Sequence, residues 1–265
     1  MSDSTQAPVI RLKPKANARA IRHGFPWVYA DELVTDRRTK ALAPGALAVL
    51  EDAERQPLGL FAFNPLSKII ARQIDRDPGA RIDRAWFAAR LARALSLRQR
   101  LYDAPFYRLV HAEADGLPGV VIDRFGDTAV VQPNAAWAEP LLAELTAALV
   151  EVTGIRTVLK NAGGRTRVLE GLDDANAVLP GAAPAAPLAV PMNGAVYLAD
   201  LTGGQKTGLF YDQRPNHAFA APLAGPGGRV LDVFSHVGGF ALAALAAGAG
   251  QALAVDGSAA ALDLA

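Results

Sequence analysis

The sequence predicts an α/β protein that carries an additional small β-barrel at its N-terminal end. Short strand-like segments separated by proline and glycine fill residues 9–75 and are typical of a barrel. A strand, a Gly-Gly turn, a helix and a second strand follow one another over residues 228–256, as at the beginning of a doubly wound nucleotide-binding sheet. For a chain of 265 residues we therefore expect three domains, at residues 1–76, 77–180 and 181–265.

The barrel is predicted from a hairpin and a further strand. Residues 46–50 and 58–63 alternate into two strands around a polar turn at residues 52–56. Residues 69–74 form the next strand, and Asp77-Pro78-Gly79 marks the end of the domain.

The middle domain is predicted to begin with a long helix and to continue in the order strand, strand, helix, strand, strand, as a compact EEHEE-like α+β module. Apolar residues recur with helical spacing in both helices, and Gly126 lies in a turn within the second strand run. The predicted elements are a helix at 83–101, strand runs at 107–113 and 119–132, a helix at 139–152, and strands at 157–161 and 167–172.

The third domain is predicted to follow an Ala/Pro linker at residues 181–189. Asn193-Gly194 is a strong turn dipeptide and predicts a hairpin over residues 188–201. The strand that begins at Gly228 then leads into the glycine turn, and the second strand ends at Asp256.

Composition and charge narrow the functional classes. The chain is 51% hydrophobic and 20% charged, which is typical of a globular protein, and it has no cysteine for a disulfide, a thiolate metal site or a nucleophile. Its four histidines have no metal-ligand spacing, so no metal is expected. Residues 237–255 are nearly uncharged, but we interpret them as a buried helix and strand and expect no membrane segment and no secretory signal.

The net charge of +1 is unevenly distributed along the chain. Residues 1–108 contain 19 Lys and Arg against 11 Asp and Glu, whereas residues 109–265 contain 8 against 15. The basic first part favours contact with a polyanion such as RNA. A bias in genomic base composition, reflected in the many Arg and Ala residues, is the alternative explanation.

The glycine turn is the strongest indication of a cofactor. Gly238 and Gly239 let a ligand approach the backbone where a helix begins, and Asp256 ends the next strand, where a carboxylate can accept hydrogen bonds from ribose hydroxyls. Ser258 is placed to cap the following helix. A dinucleotide requires G-x-G-x-x-G, which the turn lacks, so S-adenosylmethionine fits better than NAD. Asp232 would lie near its cationic end.

A second segment, residues 202–216, combines glycines, aromatic residues and opposed charges, among them Gln205 and Lys206. We expect it to stack on adenine and to bind the methionyl end of the cofactor, although a surface hairpin with an internal Asp–Arg pair would explain it too. The predicted cofactor site comprises Phe210, Asp212, Gln213, Arg214, Asp232, Phe234, Ser235, Gly238, Gly239, Phe240, Asp256 and Ser258.

A basic run near the N-terminus is the predicted RNA-binding surface, because Lys and Arg bind phosphate. Trp27 follows the run and lies either in the barrel core or against an exposed base. The predicted RNA-binding residues are Arg11, Lys13, Lys15, Arg19, Arg22 and His23.

Five segments together resemble the PUA-domain-bearing ribosomal RNA methyltransferases of the RlmI type. They are GGQKTGLFYDQRPN, LDVFSHVGGF and AVDGSAAALD in the last domain, HAEADGLPGVVIDRFGD in the middle, and IRLKPKANARAIRHGFPWVYADEL at the front. The resemblance extends over essentially the whole chain from Val9. It implies a PUA-like barrel, a middle module and a class I methyltransferase sheet. The implied reaction transfers a methyl group from S-adenosylmethionine to a base of large-subunit ribosomal RNA, most often C5 of cytosine.

The sequence departs from this family in lacking its Asp-Pro-Pro motif and its catalytic cysteine. Without a cysteine the covalent adduct at cytosine C6 cannot form. We therefore expect a truncated methyltransferase sheet and an inactive chain, with catalysis by a longer parent protein. The rival hypotheses are a non-catalytic RNA-binding protein and an NAD-dependent oxidoreductase. The expected partner is ribosomal RNA in the cytoplasm; a homodimer is compatible with the sequence, which does not determine the oligomeric state.

Overall fold

The computed structural model describes residues 7–203 and 208–265, which form three successive units. The first unit is a five-stranded sheet in the order β1-β3-β4-β5-β2, with β1 parallel to β3 and the other pairs antiparallel. Its elements are β1 (Val9–Arg11), α1 (Ala18–Arg22), β2 (Trp27–Tyr29), α2 (Arg37–Lys40), β3 (Ala46–Glu51), β4 (Pro57–Phe63) and β5 (Ile69–Asp75).

This sheet curls into a half-barrel, and the segments that follow its two edge strands, β1 and β2, pair with each other. A β-bridge joins Leu12 to Leu33, and the Lys13 N–H donates to the Glu32 carbonyl at 2.8 Å. Fully buried side chains, including Leu12, Leu33 and Phe61, fill the inside of the curl. The predicted hairpin and third strand are present, so the predicted barrel is confirmed as a curled sheet.

The second unit is also a five-stranded sheet, in the order β10-β9-β8-β7-β6, with β8 parallel to β9. Helices α3 and α4 pack against each other and share one hydrophobic core with this sheet. Its elements are α3 (Arg84–Leu101), β6 (Phe106–His111), β7 (Val120–Phe125), β8 (Thr128–Pro133), α4 (Leu142–Thr153), β9 (Thr157–Lys160), α5 (Arg165–Leu169) and β10 (Ala177–Val178).

The predicted strand at residues 167–172 is wrong, because these residues lie in and just after helix α5. Arg167 is fully buried and donates to the Pro133 carbonyl and to Glu139, whereas Val168 and Leu169 are exposed. The charged residue therefore faces the core and the two apolar residues face solvent. The last strand of the module is instead β10.

The third unit combines a hairpin with a parallel strand–helix–strand arrangement, in which β13 pairs with β14 in register. Asn193 and Gly194 both have positive φ at the hairpin turn, as predicted for a tight two-residue connection. Its elements are β11 (Leu188–Met192), β12 (Ala195–Ala199), α6 (Arg214–Ala220), β13 (Arg229–Val233), α7 (Gly239–Ala246), β14 (Gln251–Val255) and α8 (Ala259–Leu262).

A buried carboxylate links the first unit to the second. Glu170 accepts hydrogen bonds from Asn64 at 2.8 Å and from Arg72 at 3.1 Å. Arg72 also contacts Glu113, and the indole N–H of Trp27 donates to that same carboxylate at 2.8 Å. Trp27 is thus half-buried and lies outside the core of the first sheet, with its polar edge bound at the boundary between the units.

No helix in the part of the chain that the structure describes is both long and apolar enough to cross a membrane.

Candidate functional site

The glycine turn lies between β13 and α7. Gly238 has φ +75°, a left-handed conformation that glycine adopts without the strain of a Cβ atom. At Gly239 a Cβ atom would lie 2.5 Å from Cε1 of His217. From the sequence we expected the two glycines to let a ligand approach the backbone. The structure adds a reason within the protein, because Gly239 leaves room for the imidazole of His217 in α6.

Asp232, at the end of β13, is buried and holds the N-terminus of α7. Its Oδ2 accepts hydrogen bonds from the backbone N–H groups of Phe240 at 3.2 Å and Ala241 at 3.0 Å. These are two of the N–H groups that a helix leaves without an intrahelical partner, and the negative charge suits the positive end of the helix dipole. Asp232 thus anchors the start of α7.

Asp256 follows β14 and fixes the loop beside the glycine turn. Its two oxygens accept from the backbone N–H groups of His236 at 2.8 Å and Ser258 at 2.9 Å. Because both bonds favour the carboxylate, the pKa of Asp256 is lowered from its ordinary value. The hydroxyl of Ser258 accepts from Ala261 N at 3.2 Å, so the predicted cap of α8 is confirmed.

A cavity of about 350 Å³ opens between the hairpin, α6 and the segment from Phe234 to Phe240. Hairpin, helix and turn each contribute to its wall, which mixes aromatic, apolar and polar side chains. Of the predicted site residues, those that line it are Phe210, Asp212, Gln213, Phe234, Ser235, Gly239 and Phe240. Residues that line it but were not predicted are Met192, Tyr197, Leu209, His217, His236 and Val237.

Five predicted residues do not line this cavity: Arg214, Asp232, Gly238, Asp256 and Ser258. The guanidinium of Arg214 lies elsewhere, 4.2 Å from the ring centroid of Tyr102, and donates to the Phe106 carbonyl at 2.7 Å. Asp212 lies 3.5 Å from a guanidinium nitrogen of Arg108, so the Asp–Arg pair within the segment does not form. Gln205 and Lys206 lie outside the described residues.

Two of the unpredicted wall residues had a signal in the sequence. Tyr197 is buried on the inward face of the hairpin, opposite Val190, and the alternation around Asn193-Gly194 gives that face. His217 follows Gln213 by four residues on the helix, so both lie on one side of it. Only the approach of the hairpin and α6 to the glycine turn makes these faces part of one site.

Burial determines the protonation state of two side chains in the cavity wall, Tyr197 and His217. The phenol of Tyr197 donates to the Gly239 carbonyl at 3.1 Å, and desolvation, with a contribution from Asp232, raises its pKa to about 12. Burial lowers the pKa of His217 below its ordinary value of 6.5, although Asp232 and Asp212 act in the opposite direction. At neutral pH the wall therefore presents a phenol and an uncharged imidazole.

The predicted RNA-binding residues lie on or beside β1 and α1, but they are not all free. Arg11 bridges to Glu51 at 2.8 Å and Arg22 to Asp52, while the Lys13 ammonium donates to the Asp31 carbonyl. His23 Nδ1 lies 2.7 Å from the Arg19 carbonyl. Lys15 and Arg19 are exposed, and no acidic side chain among residues 7–203 and 208–265 pairs with either of them.

Within the described ranges, no group of three or more His, Asp or Glu side chains could hold a metal ion. The features of the third unit define the class of protein. A parallel strand–helix–strand unit with a cavity at its glycine turn is a Rossmann-like cofactor-binding fold, here attached to a curled β-sheet domain.

Comparison with known proteins gives the family. Residues 10–76 match the PUA-like domain family and residues 137–264 match the S-adenosylmethionine-dependent methyltransferase family. A ribosomal RNA large subunit methyltransferase I from Cronobacter sakazakii is 36% identical over 254 residues, which are 95% of this chain and 63% of that protein. The chain thus combines a PUA-like domain with an S-adenosylmethionine-dependent methyltransferase domain, which confirms the resemblance and the cofactor predicted from the sequence.

Two solved structures share the fold. A Streptococcus mutans protein assigned to the SAM-dependent methyltransferases has a TM-score of 0.81 at 20% identity, covering 97% of this chain and 65% of its own. A second methyltransferase structure, complexed with S-adenosylhomocysteine (SAH), has a TM-score of 0.79 at 19% identity and covers 97% of this chain and 64% of its own. At these identities the similarity concerns the fold alone.

We expect the imidazole of His217 to titrate below pH 6.5. The unfolded chain then takes up this proton at a higher pH than the folded chain. Protonation of the buried imidazole therefore costs stability. The fold has none of this cost above pH 6.5, and stability is lost as the pH falls from 6.5 through the folded-state pKa. The Hε1 signal in an NMR titration measures the pKa, and urea unfolding across the same pH range measures the stability.

The variant His217→Phe identifies the NMR signal and removes this pH dependence. The variant His23→Phe is the matched control, because His23 is exposed and the contribution of His217 persists in it. A midpoint at or above 6.5 for His217 would contradict the buried, uncharged imidazole.

Proposed function

We propose that this chain provides the RNA-binding surface and a cofactor pocket of an enzyme that methylates a base of large-subunit ribosomal RNA, at C5 of cytosine. The cavity at the glycine turn is the observation that carries the proposal. The name of the Cronobacter sakazakii relative supports the RNA substrate, and the matches to the PUA-like and methyltransferase families support the two functional parts. The division at residues 76 and 180 into three domains belongs to this proposal.

The cavity suits S-adenosylmethionine in volume and in chemistry. Ligand pockets enclose roughly 300–1,000 Å³ and combine apolar walls with a few polar groups, as this cavity does. Two buried polar atoms of its wall, Nδ1 of His217 and Oγ of Ser235, have no hydrogen-bond partner in the described structure. Phe210 and Phe234 offer aromatic faces to the adenine, and Asp256, at the end of β14, offers carboxylate oxygens to the ribose hydroxyls.

In this proposal the bound cofactor supplies the methyl group on its sulfonium sulfur. The chain's own residues bind and orient it. Asp232 acts indirectly, by holding the N-terminus of α7 and with it the glycine turn, and it adds negative charge near the cationic part of the cofactor. Gly238, Gln213, Phe240 and Ser258 shape the turn and the adjoining walls.

Replacement of Asp256 by Ala should weaken the binding of SAH. The loss of a hydrogen-bond acceptor that carries a charge costs about 1.5–3 kcal/mol, which is about 10- to 100-fold in affinity. NMR titration of the 265-residue chain with SAH measures this change even when binding is weak. Asp263→Ala is the matched control, because Asp263 is an exposed carboxylate at the end of α8. Unchanged affinity in a folded Asp256→Ala variant would refute the ribose assignment.

The RNA surface is proposed to centre on Lys15 and Arg19, which have no acidic partner in the described part of the chain. Arg11, Lys13, Arg22 and His23 extend it, with part of their charge or hydrogen bonding already engaged by the protein. Salt weakens such binding, because each phosphate contact releases counterions from the RNA.

Replacement of both Lys15 and Arg19 by Ala should reduce the slope of log affinity for ribosomal RNA against log salt concentration by about one unit per lost contact. The control is Arg93→Ala with Arg100→Ala, which removes the same charge from the exposed side of α3. Equal effects of the two double variants would mean that total charge, and not this surface, determines RNA binding.

We further propose that the 265 residues by themselves do not transfer a methyl group. Cytosine C5 becomes nucleophilic enough to take the methyl group only after another nucleophile adds at C6, and the sequence contains no cysteine for that addition. The small sheet of β13 and β14 also exposes apolar side chains on one face: Leu231, Val233, Leu253 and Val255. A two-stranded sheet of this kind is only marginally stable in water.

Incubation of the chain with radiolabelled S-adenosylmethionine and ribosomal RNA should leave the RNA unlabelled. Limited proteolysis with mass spectrometry should cut beyond residue 228 before it cuts the first two units, whose sheets are buried in larger cores. Labelled RNA would contradict the proposed inactivity of these 265 residues, and resistance of the region beyond residue 228 would contradict its proposed marginal stability.

The rival functions make different predictions. A non-catalytic RNA-binding protein would bind RNA but would not bind SAH. An NAD-dependent oxidoreductase would bind NAD in preference to SAH. The proposed substrate would place the protein in the cytoplasm. A homodimer, which could cover the exposed face of β13 and β14, is open to measurement by light scattering.

A further inference from the structure

Two polar side chains of the cavity are buried without hydrogen-bond partners. His217 is 6% and Ser235 is 5% exposed, and neither Nδ1 of the imidazole nor Oγ of the hydroxyl has a partner in the described structure. They come from different elements, α6 and the loop after β13, yet line the same cavity. Buried polar groups in folded proteins are almost always bonded, so two exceptions at one cavity indicate a ligand that completes them.

The backbone N–H groups of residues 238–241, at the start of α7, are already bound within the protein. The N–H groups of Phe240 and Ala241 are bound to Asp232, and those of Gly238 and Gly239 are directed to the Ser235 carbonyl at 2.9 and 3.3 Å. An anion at the start of a helix ordinarily uses these groups. Here these four groups are occupied, and the side chains of His217 and Ser235 hold polar atoms that have no partner in the described structure.

The charges around His217 indicate which part of the ligand would bind there. Two carboxylates, Asp232 and Asp212, act on the imidazole electrostatically. A negative potential of this kind attracts an ammonium or sulfonium group and has much less effect on a neutral adenine. An uncharged imidazole and a hydroxyl can each both donate and accept a hydrogen bond, as a group with an ammonium and a carboxylate requires.

We infer that the side chains of His217 and Ser235 bind the α-amino-acid end of S-adenosylmethionine and act as positioning residues for its methyl group. The inference rests on the proposed function, since it assigns two contacts within the proposed cofactor pocket. Gly239 serves the same purpose, because a side chain at that position would displace the imidazole.

Two ligands test the inference. SAH contains the amino-acid end, whereas 5′-methylthioadenosine keeps the adenine, the ribose and the sulfur but lacks that end. NMR titration of the 265-residue chain gives both affinities for the wild type and for His217→Phe, Ser235→Ala and His217→Asn. The first two variants remove the polar atom, and the Asn variant keeps one donor and one acceptor.

His217→Phe and Ser235→Ala should each weaken SAH binding by about 10- to 100-fold while the affinity for methylthioadenosine stays at the wild-type value. His217→Asn should recover part of the loss. Since the removed atoms have no partner in the ligand-free protein, thermal unfolding of the free variants should be no easier than that of the wild type. Ser235→Ala tests the inference independently if His217→Phe does not fold.

Equal losses for both ligands would place these side chains against the adenosine and overturn the inference. Unchanged SAH affinity in both variants would overturn it as well. If the wild type binds neither ligand, the proposed cofactor pocket itself fails, and the inference fails with it.

Discussion

The Asp232 carboxylate accepts hydrogen bonds from the first free N–H groups of α7, and the cavity is built around that contact. The bond fixes the angle at which the chain leaves β13 and enters the helix. It also brings Gly239 against His217 of α6 and within hydrogen-bond reach of the Tyr197 phenol from the hairpin. The hairpin, α6 and the start of α7 thus meet at Gly239, and the space between these three elements is the proposed pocket.

The same contact determines which groups remain for a ligand. Because a protein carboxylate takes the place that an anion would occupy at the helix end, recognition passes to side chains. This explains why a cavity in a family that binds S-adenosylmethionine contains buried polar atoms without partners, at His217 and Ser235. A site prepared for a ligand leaves groups unpaired at some expense in stability, which the bound ligand recovers.

Ion pairs determine which of the basic side chains near the N-terminus carry an unpaired charge. Arg11 and Arg22 belong to a stretch of sequence without acidic residues, yet Glu51 and Asp52 at the end of β3 neutralise them. Lys15 and Arg19 keep their charge available. The curl of the first sheet therefore reduces a long basic run to a smaller surface, and the buried Glu170 holds that sheet against the middle unit.

The sequence alone determined the features that depend on neighbouring residues. The Asn193-Gly194 hairpin, the helix that Asp83 caps and the position of Asp256 after its strand all follow from local backbone preferences. The tertiary structure decided the rest. Residues 165–169 form a helix with Arg167 buried where a strand was predicted, and Arg214 points away from the cavity. The alternation of the hairpin and the helical spacing of α6 gave the faces of Tyr197 and His217, but only the fold brings those faces to the cavity. These outcomes depend on partners far along the chain, whose approach only packing and buried charge fix.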